Sequence, residues 1–92
     1  MIPVQELHSS QHVPDFMTVE TQSLQIRTDL MLGIQLYIQQ QGWTPEQAAS
    51  ALRQTLPLMQ NLMNGEISRF SVEQLVQLLN LAGLQVRISI KE

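Results

Sequence analysis

The sequence predicts a small, mainly α-helical bundle of four to five helices that ends in a β-strand. Three observations predict it. Apolar residues recur at helical spacing after residue 22, capping signals divide that stretch into separate helices, and the last residues alternate between apolar and polar. The 92 residues form one domain at most, because separate hydrophobic cores usually need on the order of 100 residues each.

The composition favours a packed globule over a disordered chain. Hydrophobic residues make up 43% and charged residues 14%, and there is no cysteine for a disulfide, a thiolate metal site or a thiolate nucleophile. No stretch approaches the roughly 20 apolar residues that span a bilayer, so we expect a cytoplasmic protein with no membrane partner. The formal net charge of -3 works against a protein that neutralises phosphates.

Residues 1–22 form an N-terminal arm in this interpretation, and residues 23–92 form the domain. The arm mixes polar residues with scattered apolar ones without a sustained period, and Pro3 and Pro14 argue against a long helix there.

The first predicted helix runs from about Gln22 to Gln41 and is ended by Gly42. Its apolar stripe consists of Ile26, Leu30, Ile34, Tyr37 and Ile38. Its polar residues lie mostly elsewhere on the helical wheel: Arg27, Asp29, Gln35, Gln39 and Gln40.

Two short helices are predicted next, over residues 44–52 and 55–64. Thr44 and Gln47 form a capping box with Pro45 at the first helical position, and Thr55 caps the second helix. The pair Ala48 and Ala49 allows close approach of another helix. On the second helix, Met59, Leu62 and Met63 share an apolar face, opposite Pro57, Gln60, Asn61 and Asn64, with Leu56 and Leu58 on the flanks.

The fourth helix begins at a second capping box, formed by Ser71 and Gln74, and ends at Gly83. Phe70 and Leu75 occupy the positions of a hydrophobic staple. The predicted buried residues are Val72, Leu75, Val76, Leu79 and Ala82.

The tail from residue 85 to 91 alternates strictly, which is the period of a half-buried strand. A single strand leaves its backbone groups unpaired, so it must pair with the arm or with the same strand of a second subunit. We expect the second arrangement, with Val86, Ile88 and Ile90 at the dimer contact.

Two short helices joined by a turn of about three residues form the geometry in which the second helix enters a DNA major groove. Small residues in the first helix and a polar outward face on the second support this interpretation. The same packing could serve only the stability of a small bundle, and the pattern alone leaves both possibilities open.

The chain also resembles Xre-type (Cro/repressor-like) helix-turn-helix proteins, which act as repressors or as antidote partners in toxin-antitoxin modules. The resemblance covers residues 24–90. The matching positions are Thr44, Ala48, Ala49, Leu52, Thr55, Pro57, Leu62, Gly65, the run 67–71, Leu75, Val76, Leu78, Leu79, Gly83, Leu84 and Val86.

This resemblance implies a lambda-repressor-like fold and a homodimeric transcription regulator that reads a palindromic site in double-stranded DNA, commonly in its own promoter. A toxin protein is a further implied partner. Carried over by position, the base-facing candidates are Leu56, Pro57, Leu58, Gln60, Asn61 and Asn64, and the backbone-contacting candidates are Thr44, Thr55, Ser68 and Arg69. Arg53 and Arg69 flank the second short helix and are candidates to clamp phosphates.

The chain departs from the family at several of these positions. Leu56 and Leu58 stand where the family usually carries Gln and Arg, which make bidentate contacts with bases, and Glu66 replaces a basic residue. An alternative function is therefore a protein-interaction module of the same fold that has lost groove reading.

Other residues are interpreted as structural. His8 and His12 have a helical metal-ligand spacing but no third ligand beside them. Met31, Met59 and Met63 are expected in the core, and Trp43 is expected to cover the corner between the first two helices. Without a Gly-rich phosphate loop, a cysteine or a carboxylate pair beside a histidine, we expect neither enzymatic activity nor a cofactor.

Overall fold

The computed structural model describes the backbone of residues 5–8 and 19–89. Its elements, in chain order, are β1 (Gln5–His8), α1 (Val19–Gln41), α2 (Pro45–Leu52), α3 (Leu56–Met63), a 3-10 turn (Ile67–Arg69), α4 (Val72–Leu81) and β2 (Val86–Ser89). The mainly helical fold predicted from the sequence is confirmed.

The predicted starts of α2 and α4 are confirmed by their capping geometry. The Thr44 hydroxyl accepts from the Gln47 backbone N–H at 3.2 Å, and the Gln47 side chain accepts from the Thr44 backbone N–H at 2.9 Å. Ser71 and Gln74 repeat this box at the start of α4, with both distances at 3.1 Å. These reciprocal bonds satisfy backbone donors that a helix start leaves free.

The boundary of α1 differs from the prediction. The helix begins at Val19 rather than at Gln22. Pro14 is the last helix breaker before this point, and no proline or glycine stands between Met17 and Gln22. The helical conformation therefore extends into part of the sequence that was assigned to the arm.

One hydrophobic core unites the four helices. The buried residues come from all four helices and from the segments on either side of α4. Its members are Leu30, Met31, Ile34, Ile38, Ala48, Ala49, Leu52, Met59, Leu62, Phe70, Leu75, Leu78, Leu79, Ala82 and Leu84. Trp43 is half-buried against this core and meets Tyr37 edge to face with ring centroids 5.8 Å apart, so its predicted packing role is confirmed.

One detail of the predicted packing is wrong. On α4, Leu78 belongs to the core, whereas Val72 and Val76 are only half-buried. On α1, Arg27 and Gln35 lie outside the predicted apolar stripe, and both are half-buried. Gln35 Nε2 and Arg27 Nη1 bond to backbone carbonyls elsewhere in the fold, whereas the buried Arg27 Nε has no partner among the described residues.

The strand β2 pairs in parallel with β1, and Gln5 lies opposite Val86 in the register. The sequence left two partners open for this strand, and the structure shows pairing with the arm of the same chain. Pairing between two copies stays a prediction. Val86 is half-buried against the core, only the backbone is described for His8 and Ile88, and His12 and Ile90 lie outside the described residues.

Candidate nucleic-acid interface

The helices α2 and α3 pack closely across a turn of three residues, Arg53–Thr55. Ala48 and Ala49 are both buried, as expected for small residues at a close helix contact. Arg53 takes the left-handed conformation, with φ 57° and ψ 45°, and its backbone N–H bonds to carbonyls of the last turn of α2. The predicted geometry of two short helices and a tight turn is therefore present.

The outward face of α3 is decided by what the helix buries. Met59 and Leu62 have no exposed area, so the opposite side of the helix faces solvent. Pro57, Gln60 and Asn64 are exposed on that side, and Leu56 is exposed on its flank. The structure therefore brings four of the six base-facing candidates to the surface of one short helix.

The other two base-facing candidates are half-buried. Leu58 packs against the core and lines a cavity of about 60 Å³ beside Phe70 and Leu78, between α3 and α4. Asn61 lies at the edge of the outward face, and its backbone carbonyl accepts from the Glu66 N–H at 3.0 Å. Among the described residues, none bonds to the side-chain amides of Gln60, Asn61 or Asn64, so these amides are available to a partner.

Two candidates for phosphate contact are also helix caps. The Thr44 hydroxyl accepts from Gln47, and the Thr55 hydroxyl accepts from the Leu58 N–H at 3.3 Å. A hydroxyl has one O–H to donate as well as lone pairs to accept. Each threonine can therefore cap its helix and donate to a phosphate oxygen at the same time.

The turn after α3 carries Ser68 and Arg69, which are both exposed. Arg69 is paired within the turn, since its Nε lies 3.5 Å from Glu66 Oε1, and the two side chains are 61% and 43% exposed. A surface pair of this kind contributes little to folding stability. It does place a carboxylate where a phosphate would otherwise meet the guanidinium.

A model of a protein family, described as a helix-turn-helix domain, matches residues 12–91. The match covers most of the chain, including all four helices. The chain belongs to this helix-turn-helix family. No curated protein and no solved structure matches it.

Membership of the helix-turn-helix family indicates a DNA-binding regulator, which is the coarse function that the sequence predicted. None of the helices in the described part of the chain is long and apolar enough to cross a membrane. Within the helix-turn-helix domain, α3 is the second of the two short helices that the tight turn joins.

The sequence analysis missed two residues that tie the helix-turn-helix to α1. Gln35 donates from Nε2 to the carbonyl of Leu62, in the last turn of α3, at 2.8 Å. Arg27 donates from Nη1 to the carbonyls of Ile67 and Phe70 at 3.4 and 3.5 Å. Gln35 follows the buried Met31 by one helical turn, and that spacing was the available signal.

Proposed function

We propose that this protein is a sequence-specific, Xre-type transcription regulator that binds double-stranded DNA as a homodimer with α3 in the major groove. The observation that carries the proposal is the outward face of α3, where exposed amides without partners among the described residues are available for base edges. Arg53 and Arg69 flank this helix in sequence and are both exposed, as phosphate contacts would require.

The proposed dimer uses the C-terminal strand. In the described sheet, β2 is bonded to β1 on one side only, so its other edge carries backbone groups that a second copy can pair. Two β2 strands related by a two-fold axis would extend each two-stranded sheet into one of four strands. A two-fold axis also matches a palindromic operator, whose half-sites lie about 34 Å apart.

The finer parts of the proposal rest on the resemblance to Xre-type proteins. They are autoregulation of the protein's own promoter, an antidote role toward a toxin protein, and action in the cytoplasm. We further propose that the protein acts without catalysis and without a cofactor, because its outward groups suit recognition rather than bond chemistry.

The test is fluorescence anisotropy of the purified protein on labelled DNA from upstream of its own gene and on a scrambled duplex. Two salt concentrations, about 50 and about 200 mM, separate phosphate contacts from apolar ones. Four neutralised phosphates per dimer, from Arg53 and Arg69 of each subunit, predict an affinity loss of about one hundredfold between them. Specific binding with this salt dependence would support the proposal.

Variants assign the roles of individual residues. Gln60→Ala and Asn61→Ala are expected to reduce the preference for upstream over scrambled DNA, whereas Arg69→Ala should weaken both and lower the salt slope. Asn80→Ala, which removes an exposed amide from α4, is the matched control and should bind like the wild type. Absence of binding to either duplex at low salt would overturn the proposal.

The second candidate function is a protein-interaction module that keeps the fold. The formal net charge of -3 and the absence of any charged residue from Leu56–Met63 favour it. Association with a protein through an apolar face would change little between the two salt concentrations, unlike DNA binding.

A further inference from the structure

The exposed side of α3 changes chemistry along its length. Its first turn presents Leu56, which is 37% exposed, and Pro57. One and two turns later along the same row come the amides of Gln60 and Asn64. The surface offered to a partner is thus apolar at the N-terminal end of the helix and amide-bearing beyond it.

The apolar end and the amide-bearing end match the two bases of an A·T pair. In the major groove, the thymine methyl is the apolar group on the base edges, and adenine presents an acceptor and a donor that a Gln or Asn amide can match. Guanine is read best by arginine or lysine. The sequence Leu56–Met63 contains neither of these cationic residues.

The position of Leu56 also fits base contact rather than packing. Residues at the start of the second helix of a helix-turn-helix are the ones that meet base edges. Leu56 is exposed, whereas Leu58 in the same turn is half-buried against the core. Leu56 is therefore free to contact DNA without leaving a gap in the core.

We infer that α3 selects A·T base pairs, with Leu56 contacting a thymine methyl in the major groove and Gln60 hydrogen-bonding to an adenine edge. This inference rests on the proposed function and names the sequence class that the same surface reads. Pro57, beside Leu56, adds a second apolar contact at the same end of the helix.

The first experiment selects binding sites from duplexes with a randomised core of about 20 base pairs, long enough for two half-sites. The wild-type protein is expected to enrich half-sites rich in A·T pairs. Each thymine of the selected duplex is then replaced in turn by uracil, which lacks only the methyl group. At the position that Leu56 contacts, affinity is expected to fall about fourfold, the effect of one methyl removed from an apolar contact.

Variants link the methyl effect to one side chain. Leu56→Ala should weaken binding to the thymine duplex and abolish its preference over uracil, while circular dichroism shows an intact helical fold. Leu32→Ala removes an exposed leucine of α1, 52% exposed, and should keep the full preference for thymine. Gln60→Ala should lose discrimination at the adjacent adenine but keep the response to uracil.

The possible outcomes distinguish failure of the A·T assignment from failure of the proposed DNA-binding function. Binding of selected duplexes that is unchanged by every thymine-to-uracil replacement, or selection of G·C-rich half-sites, would overturn the A·T assignment and leave the DNA-binding function standing. Failure to enrich any duplex at low salt would overturn both the A·T assignment and the DNA-binding function. Loss of the uracil effect in Leu56→Ala, with its retention in Leu32→Ala, would establish the contact.

Discussion

Arg53 is a residue whose backbone conformation and side chain have different requirements. Among the described residues other than glycine, only Arg53 has a positive φ. Glycine adopts this left-handed conformation without steric cost. The turn between α2 and α3 would therefore accept glycine more easily than arginine. Arg53 instead presents an exposed guanidinium at this turn, which glycine would lack.

Replacing Arg53 tests that role. Arg53→Gly is expected to raise the free energy of unfolding by about 0.5 kcal/mol, because the relief of backbone strain exceeds the entropy that glycine adds to the unfolded chain. The same variant should lower the salt slope of DNA binding by about one for each subunit. Urea unfolding and anisotropy measure the two effects. Asparagine tolerates the left-handed conformation but lacks the charge, so Arg53→Asn should lower the salt slope as much as Arg53→Gly does. A wild-type salt slope in both variants would contradict the phosphate contact of Arg53.

Glu66 is expected to weaken DNA binding, because its carboxylate occupies Arg69 and repels phosphate. Glu66→Gln should raise affinity at low salt by about three- to tenfold, with a change in unfolding free energy below about 0.5 kcal/mol, as for other exposed pairs. Anisotropy titrations measure the gain. In an Arg69→Ala background the gain should shrink, and an equal gain there would mean that Glu66 acts without Arg69.

At the scale of elements, α3 is a short helix whose orientation depends on α1. Its C-terminal end is closed by Gly65, with φ 74°, and by the bond from the Glu66 N–H to the Asn61 carbonyl. The Gln35 side chain then joins this end to α1. A helix of two turns has little stability of its own, so these contacts fix the direction in which it points.

Removal of the Gln35 contact tests this dependence. Gln35→Ala should lower the free energy of unfolding by about 1 kcal/mol, the net contribution of one part-buried hydrogen bond. It should also reduce discrimination between upstream and scrambled DNA, since α3 loses a constraint on its direction. Thermal unfolding and anisotropy provide the readouts. Gln39→Ala, one turn later on α1 and exposed, is the matched control, and equal behaviour of the two variants would contradict the positioning role.

The elements differ in how far the sequence predicted them. The starts of α2 and α4 were predictable because the capping boxes at Thr44 and Ser71 are local signals read from four consecutive residues. The bonding partners of Arg27 and Gln35 were not, because they are carbonyls of segments more than 25 residues away in sequence. The 3-10 turn at Ile67–Arg69 has no periodic pattern long enough to indicate it.

The candidate interface was predictable to a similar extent. The wheel of α3 identified the exposed side of Pro57, Gln60 and Asn64 because Met59 and Leu62 define the opposite side, and it placed Leu56 on the flank. The same wheel could not decide how deeply Leu58 packs, since that depends on its contact with Phe70 and α4. Nor could it show the pairing of Arg69 with Glu66, which depends on the shape of the turn.

For the whole molecule, the proposed dimer makes the C-terminal segment essential to assembly. Deletion of residues 85–92 removes β2 and should convert dimers into monomers, because the pairing edge is lost. Light scattering measures the mass, and circular dichroism checks that the helices remain. The monomeric variant should also bind DNA more weakly than the dimer, since binding at one half-site is no longer linked to binding at the other. A deletion variant that stays dimeric would contradict this interface.

The parallel pairing of β1 with β2 joins residues from the two ends of the described chain, with all four helices between them. Closing so long a loop has a high entropic cost, and a sheet of two strands contributes little stability. The strands should therefore form after the helices in folding and separate before them in unfolding. In hydrogen exchange, the amides of Val86–Ser89 would then exchange through a local opening that separates β2 from β1 while the helices remain folded.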